Sequence, residues 1–124
     1  MFLPSYACVL CHELVEESVV HLFLECDFAK ACWKRLGVVI DEVSSQNLIF
    51  EEIRQQLNVK FFMEIVIILC WSIWSIRNDL IFRQIPPSLF RCLSIFKDTF
   101  GLLLLRAKRR YFPQIELWLE QLVL

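Results

Sequence analysis

Four residues near the start of the chain have the side chains and the spacing of a metal site. Cys8 and Cys11 form a Cys-x-x-Cys pair, and His21 and Cys26 follow as His-x4-Cys. Thiolate and neutral imidazole are common ligands of Zn²⁺, and four of them complete its tetrahedral shell. A shell closed by protein leaves no position for water or substrate. We therefore expect one structural zinc ion and no metal-based catalysis.

The remaining histidine and cysteines are poorer ligands by position. His12 follows the second cysteine of the pair directly, so its side chain points away from the same metal, and we expect it to be exposed. Cys32 lies on the apolar face of a predicted helix, and we interpret it, with Cys70 and Cys92, as a core cysteine. The alternative for the whole set is that the four residues are unrelated and the cysteines are merely buried.

The composition predicts a mainly α fold. The chain has 124 residues, of which 57% are hydrophobic, and it contains only two glycines and four prolines. Few turn formers and many apolar residues favour long helices with short connections. We expect a small Cys-Cys-His-Cys zinc knuckle followed by a helical bundle or by extended helices. The predicted segments are the knuckle with its helix at 1–37, a linker with a short helix at 38–58, and an apolar helical region at 59–124.

Hydrophobic periodicity and capping residues position these helices. Glu17 and Ser18 are predicted to open a short helical turn that carries His21, and Asp27 to cap the next helix, which Gly37 ends. Further helices are predicted over about 47–57, from 58 or 59 to about 83, over 88–111, and from 113 onward. The predicted apolar stripes are Ala29, Cys32, Trp33, Leu36; Ile49, Ile53, Leu57; Leu89, Leu93, Phe96, Phe100, Leu103, Ala107; and Ile115, Trp118, Leu119, Leu122.

The most apolar run, residues 65–76, lies between Glu64 and Arg77. Because a bilayer span needs about 20 apolar residues, we predict no membrane span here but a central buried helix, with a partner-buried or an interfacial helix as alternatives. The first residues lack the basic and apolar regions of a secretory signal. We therefore expect an intracellular, reducing compartment, where cysteine with histidine indicates metal more often than a disulfide.

At the metal motif the sequence resembles a known family. The elements Cys8-x-x-Cys11, Glu17-Ser18-x-x-His21-Leu22-Phe23-x-x-Cys26 and Ala29-x-x-x-Trp33 occur in order. They are similar to the zinc-binding domain that follows reverse transcriptase in plant non-LTR retrotransposons (the zf-RVT family). A weaker likeness, to a segment found downstream in such proteins, covers 71–82 and includes Trp71, Trp74, Arg77, Asn78 and Phe82.

The resemblance implies specific roles. The two cysteines of the pair, His21 and Cys26 would be the zinc ligands, and Glu17 and Ser18 would orient the helix that carries the histidine. The residues implied to pack around the site are Leu22, Phe23, Ala29 and Trp33. The resemblance also implies nucleic-acid handling beside a reverse transcriptase, and hence a nuclear location.

The chain also departs from that family. Only seven residues precede Cys8, where members carry a long Trp-rich and basic stretch, so we interpret the domain as N-terminally truncated. Val9 stands where proline is common. Neither a YxDD-type polymerase motif nor a ribonuclease H set of acidic residues occurs, so we expect a retroelement-derived piece that is not an enzyme and has no small-molecule substrate.

Basic residues suggest where RNA or DNA would bind. Residues 1–64 hold ten of the fourteen acidic residues, whereas 65–124 hold eight of the thirteen basic ones. The knuckle itself is acidic and would repel phosphate, but Lys30, Lys34 and Arg35 are spaced to form a basic edge on the next helix. A second basic cluster, followed by two aromatic residues, would bind phosphate and stack bases; it consists of Arg106, Lys108, Arg109 and Arg110. A solvated helix end is the alternative meaning of such a cluster.

A different class of function competes with nucleic-acid binding. The aromatic residues of 61–74 and the leucines of 102–105 supply more apolar surface than one small domain readily buries. This surplus favours a protein–protein interaction module that binds itself or another retroelement domain. A non-functional remnant of a retroelement is the third interpretation.

Overall fold

The computed structural model describes residues 8–10, 17–40, 46–104 and 112–122, and the fold they form is mainly helical, as predicted. A π-helical turn, called here the π turn, precedes five α-helices. The elements are the π turn His21–Glu25, α1 Asp27–Arg35, α2 Gln46–Leu57, α3 Phe62–Arg83, α4 Leu89–Leu104 and α5 Phe112–Glu120. No strand occurs within the described ranges.

Helix α1 buries the face that its sequence predicts, and it ends where a glycine allows the chain to turn. The buried residues of this face are Ala29, Cys32 and Trp33 within the helix and Leu36 directly after it. Gly37 adopts a φ of 90°, a left-handed conformation that glycine tolerates, and its amide donates to the Lys34 carbonyl at 3.0 Å. The prediction that Asp27 caps α1 is wrong, because Cys26 is the N-cap. Asp27 lies in the first turn instead, where its charge complements the helix dipole.

The bounds of α2 and α3 are set by two residues with left-handed backbone. Asn58, at a φ of 51°, ends α2, so α3 begins at Phe62, later than the predicted 58 or 59. Gln84, at a φ of 57°, ends α3 at the predicted Arg83. The Ile85 amide then donates to the Asp79 carbonyl at 3.1 Å, which satisfies an orphan carbonyl of the last turn.

Helix α3 is the centre of the packing. It contacts α4, α2 and the π turn, while α4 also contacts α1 and α5. Buried residues from all three predicted segments, from Cys8 to Leu119, form one core. Four rings from the start of α3, from α4 and from α5 lie with neighbouring centroids 5.6–6.0 Å apart; this aromatic cluster consists of Phe61, Phe96, Phe100 and Trp118.

The other predicted stripes are largely buried in this core. The confirmed buried positions are Ile49, Ile53 and Leu57 in α2, Leu93, Phe96 and Phe100 in α4, and Ile115 and Leu119 in α5. Half-buried residues complete them: Leu89, Trp118 and Leu122. The side chain of Leu103 and all of Ala107 lie outside the part that the structure describes.

Helix α3 has 22 residues and, within the described ranges, is the one helix long and apolar enough to cross a membrane by length and composition alone. Glu64 and Arg77, which bracket the apolar run 65–76, both lie within this helix. In its most apolar window, 44% is buried inside the protein. The core helix of a globular domain can pass the same test of length and composition. The absence of a membrane span therefore stays a prediction.

Candidate metal centre

The π turn holds His21 and Cys26 at its two ends. The Ser18 hydroxyl oxygen accepts a hydrogen bond from the His21 amide at 3.0 Å, so Ser18 caps the turn at the predicted position. At the other end, the Cys26 amide donates to the His21 carbonyl at 2.6 Å, across five residues. Such wide turns are rare and occur frequently at functional sites.

Three of the four predicted ligands meet at this turn. One ligand atom from each of Cys8, His21 and Cys26 lies within 4.8 Å of the other two, and all three residues are buried. The Sγ atoms of Cys8 and Cys26 are 3.8 Å apart. Two thiolates at about 2.3 Å from a tetrahedral zinc ion lie about 3.8 Å from each other, so this pair fits one metal ion. The group can hold a metal ion. The fourth predicted ligand, Cys11, and its neighbour His12 lie outside the described residues.

The electrostatics at Cys26 favour a thiolate only when a cation is bound. Burial, and secondarily the neighbouring Cys8, raises the pKa of the Cys26 thiol to about 12. Backbone amides of Phe28 and Ala29 at the start of α1 donate to its sulfur and act in the opposite direction. A divalent cation at this point would be the largest local charge and would lower the pKa of the coordinating thiol.

The residues that the resemblance places around the site belong to the core or pack against it. Leu22, Ala29 and Trp33 are buried, and Phe23 is half-buried. The Trp33 indole Nε1 donates to the Phe23 carbonyl at 2.8 Å. Phe23 lies in the π turn, which begins with His21, and Trp33 lies in α1, whose N-cap is Cys26. This hydrogen bond therefore orients the two elements relative to each other.

One contact of the site could not be seen in the sequence. Arg77 of α3 donates through Nε to Glu17 Oε1 at 2.7 Å, and the two side chains are only 13% and 18% exposed. Glu17 was expected to orient the histidine-bearing helix, but its carboxylate joins the site to α3. The Arg77 guanidinium also lies over the Trp74 ring, with its carbon 4.6 Å from the ring centroid. No rule of helix or motif spacing relates two residues 60 positions apart. Among the sequence predictions, only the resemblance to the zf-RVT family included both Glu17 and Arg77.

The other cysteines behave as core residues. The Cys32 and Cys92 Sγ atoms are 3.6 Å apart in the interior, where they connect α1 to α4. The hydrogen bond with Cys92 and then burial raise the pKa of the Cys32 thiol far above its ordinary range, so this thiol stays neutral. Burial raises the pKa of half-buried Cys70 to about 11. The interpretation of these three as packing residues fits their positions.

The predicted basic residues are only partly within the described ranges. Lys34 and Arg35 are exposed in the last turn of α1, and Lys30 is half-buried one turn earlier. Basic residues at this position also stabilise the negative end of the helix dipole, which is a structural role independent of any ligand. The second predicted cluster, Arg106, Lys108, Arg109 and Arg110, lies outside the described residues.

Comparisons with known proteins give no relative. No protein family, curated protein or solved structure matches this chain. The resemblance to the zf-RVT family therefore stays a prediction that rests on the spacing of the quoted residues.

Proposed function

We propose that the protein is a zinc-stapled helical module in which Cys8, Cys11, His21 and Cys26 bind one structural Zn²⁺. The observation that carries this proposal is the convergence of three buried ligands with a sulfur–sulfur separation of 3.8 Å. Soft thiolates with one imidazole select zinc over the hard cations, which prefer oxygen ligands. When bound, the ion would join residues 8–11 to the π turn and the start of α1.

The role of the ion is to fold this end of the chain. With Cys11 the shell has four protein ligands, and a closed shell neither activates water nor polarises a substrate. The Trp33–Phe23 hydrogen bond and the Glu17–Arg77 ion pair already orient the surrounding elements. Zinc would convert this cluster of buried thiols and imidazole into one unit held by metal–ligand bonds.

We further propose that this module contacts single-stranded RNA or DNA, in the manner that the zf-RVT resemblance implies. The exposed end of α1 supports this role, because Lys34 and Arg35 place two exposed basic side chains in its last turn. Half-buried Lys30 would add to this basic end of α1, and the basic residues of 106–110 are the other sequence candidate for binding phosphate. The retroelement origin is the remaining part of this proposal and rests on the motif alone.

Zinc content per chain tests the first proposal. We expect one zinc ion in the purified parent protein, and its loss in Cys26→Ser, together with part of the helical circular dichroism signal. Cys70→Ser is the matched control, because Cys70 is a half-buried cysteine of α3 and is not among the predicted ligands. A folded parent without zinc, or a Cys26→Ser variant that keeps it, would refute the proposal.

The salt dependence of binding tests the nucleic-acid proposal. Affinity for a uridine or thymidine oligomer should fall with salt, and Lys34→Gln/Arg35→Gln should lower the log–log slope by about 0.7 for each lost phosphate contact. Lys60→Gln/Arg83→Gln, an exposed pair with the same loss of charge at the two ends of α3, should leave the slope unchanged. A flat salt response in the zinc-loaded parent would exclude the nucleic-acid role and leave the zinc proposal standing.

A further inference from the structure

Two buried cysteines of this fold lie against each other and have no part in the candidate metal centre. The Sγ atoms of Cys32 in α1 and Cys92 in α4 are 3.6 Å apart, and both residues are 0% exposed. Among the described residues, no histidine, carboxylate or further cysteine completes a metal site with them, whereas the Cys8–Cys26 pair has His21 as a third ligand. Two thiols in contact without a third ligand have the composition of a disulfide site.

A short displacement of the two sulfur atoms is enough to bond them. A disulfide has an S–S distance of about 2.05 Å, so the atoms have to approach each other by about 1.5 Å. Rotation about the Cα–Cβ bonds of the two cysteines moves the sulfur atoms by distances of this order, and α1 and α4 already pack against each other. We propose that Cys32 and Cys92 form a reversible disulfide that joins α1 to α4 when the chain meets a disulfide oxidant such as oxidised glutathione.

The reaction exchanges one disulfide for another, so its atoms and electrons balance. The thiolate of one cysteine attacks a sulfur of oxidised glutathione, which forms a mixed disulfide and releases one glutathione thiolate. The second protein thiolate then attacks the protein sulfur of that mixed disulfide and releases the other glutathione. The two cysteines lose two electrons and two protons, and oxidised glutathione is reduced to two thiols. Reduced glutathione reverses both steps.

Burial makes this exchange slow in the folded chain. Glutathione does not reach a side chain that is 0% exposed, and the raised pKa of the Cys32 thiol leaves little thiolate to attack. The exchange therefore proceeds when α1 moves away from α4 or before the chain has folded. Once formed, the bond joins the helix that begins after Cys26 to the helix that carries Phe96 and Phe100 of the aromatic cluster. It closes a loop between residues 60 positions apart, which stabilises the fold by constraining the unfolded chain.

Refolding in a glutathione buffer tests the disulfide, because every thiol is accessible in the unfolded chain. The full chain is refolded from urea, with zinc, in mixtures of reduced and oxidised glutathione, and is then alkylated and digested with trypsin. Digestion places Cys32 in peptide 31–34 and Cys92 in peptide 92–97, each as the only cysteine of its peptide. We expect these two peptides, joined by a disulfide, as the main oxidised product. Their absence, or Cys32 joined equally to Cys70 and Cys92, would overturn the proposal.

The outcome is independent of the zinc proposal. The predicted ligands Cys8, Cys11, His21 and Cys26 all lie in peptide 1–30, so the map reports their oxidation separately from that of the Cys32–Cys92 pair. A chain without zinc that still joins peptides 31–34 and 92–97 would refute the metal site and support the disulfide.

The stability of the bond shows whether the fold favours it. Closing a loop of 60 residues should lower the equilibrium constant for unfolding about 1,000-fold, and dithiothreitol should remove this gain. By linkage, the glutathione ratio (reduced squared over oxidised) that leaves half of the pair oxidised should be about 1,000-fold higher in buffer than in concentrated urea. Equal ratios in the two conditions would mean that the fold does not favour the bond, and would overturn the proposal.

Two variants assign the effect to this pair. Cys92→Ala leaves Cys32 without its partner, so the oxidising buffer should no longer stabilise the chain. Cys70→Ala is the matched control, because it removes a half-buried cysteine of α3 and should leave both the joined peptides and the gain in stability unchanged. A Cys92→Ala chain that gains the same stability on oxidation would reject the Cys32–Cys92 disulfide. If that variant does not fold, the peptide map and the half-oxidation ratio of the parent decide.

Discussion

The two ends of this fold are held together by different kinds of contact. Around the π turn and α1, the described contacts are directional: a hydroxyl cap, an indole–carbonyl bond, an ion pair and converging sulfur and imidazole ligands. Around α3, α4 and α5 the core is an aromatic cluster with aliphatic residues from α3. Apolar packing stabilises in proportion to buried area and tolerates small shifts, whereas metal ligands and hydrogen bonds act only at defined distances.

Because the two ends are held by different kinds of contact, we expect some substitutions to change overall stability and others to change metal binding. We expect the aromatic cluster to stabilise the fold without any ion, whereas the Cys/His end needs a cation to charge its buried thiols. Changes in the cluster should therefore unfold the whole chain. Changes at the Cys/His end should act locally and depend on zinc.

The largest effect should come from the aromatic cluster. Phe100→Ala removes a ring that is 1% exposed and contacts Phe61, Phe96 and Trp118, so we expect a loss of about 3–5 kcal/mol in the free energy of unfolding. Urea denaturation at low protein concentration measures it. Phe90→Ala, on the same helix but 64% exposed, should cost less than about 0.5 kcal/mol. Equal losses in both variants would mean that the cluster is not the stabilising core.

A smaller loss of stability is expected at the Cys/His end, where the indole of Trp33 donates a hydrogen bond as well as packing in the core. Trp33→Phe keeps a buried ring but leaves the Phe23 carbonyl without its donor, so we expect a loss of about 2 kcal/mol. Trp71→Phe changes an indole of α3 that is 56% exposed and should have little effect on the free energy of unfolding. The Trp33→Phe variant should also bind zinc more weakly, because the bond orients the π turn on α1. Unchanged zinc affinity would show that this bond has no positioning role.

The smallest effect is the pH dependence, and its sign distinguishes the metal-free from the zinc-loaded protein. Without metal, burial raises the pKa of Cys26 from 9.0 to about 12, so the folded state holds a proton that the unfolded state releases. Stability is then fully present below pH 9 and is lost as the pH rises from 9 toward 12. With zinc, the thiols must be deprotonated, so stability instead falls as pH decreases and protons displace the ion. Urea titrations at a series of pH values, with and without chelator, measure both trends. If no metal binds here, the free energy of unfolding would change with pH in the same way in the two series.

Local sequence rules predicted most of the fold. The stripe of α1, its end at Gly37, the cap at Ser18 and the span of α2 follow from contacts within a few residues, where helix geometry is decisive. The convergence of Cys8, His21 and Cys26 was also predictable, because ligand chemistry demands particular residue types at close spacing. The start of α3 was misplaced because left-handed Asn58 interrupts an otherwise helical pattern.

Long-range contacts were not predictable in this way. The Glu17–Arg77 ion pair and the Cys32–Cys92 contact each join residues 60 positions apart. Which face of α3 stays exposed was also hidden, because its apolar residues lie nearly all round the helix. These features depend on how the helices pack against each other. A single sequence shows which residues could take part in such packing but not which residue of another helix each one contacts.

X-ray absorption at the zinc edge, on the zinc-loaded full chain, tests the central proposal most directly. We predict three sulfur atoms at about 2.3 Å and one imidazole nitrogen at about 2.0 Å, which corresponds to Cys8, Cys11, His21 and Cys26. Cys11→Ser should reduce the count to two sulfur atoms. A parent shell made mainly of oxygen and nitrogen, or one with two sulfurs that Cys11→Ser leaves unchanged, would contradict the four-ligand structural site.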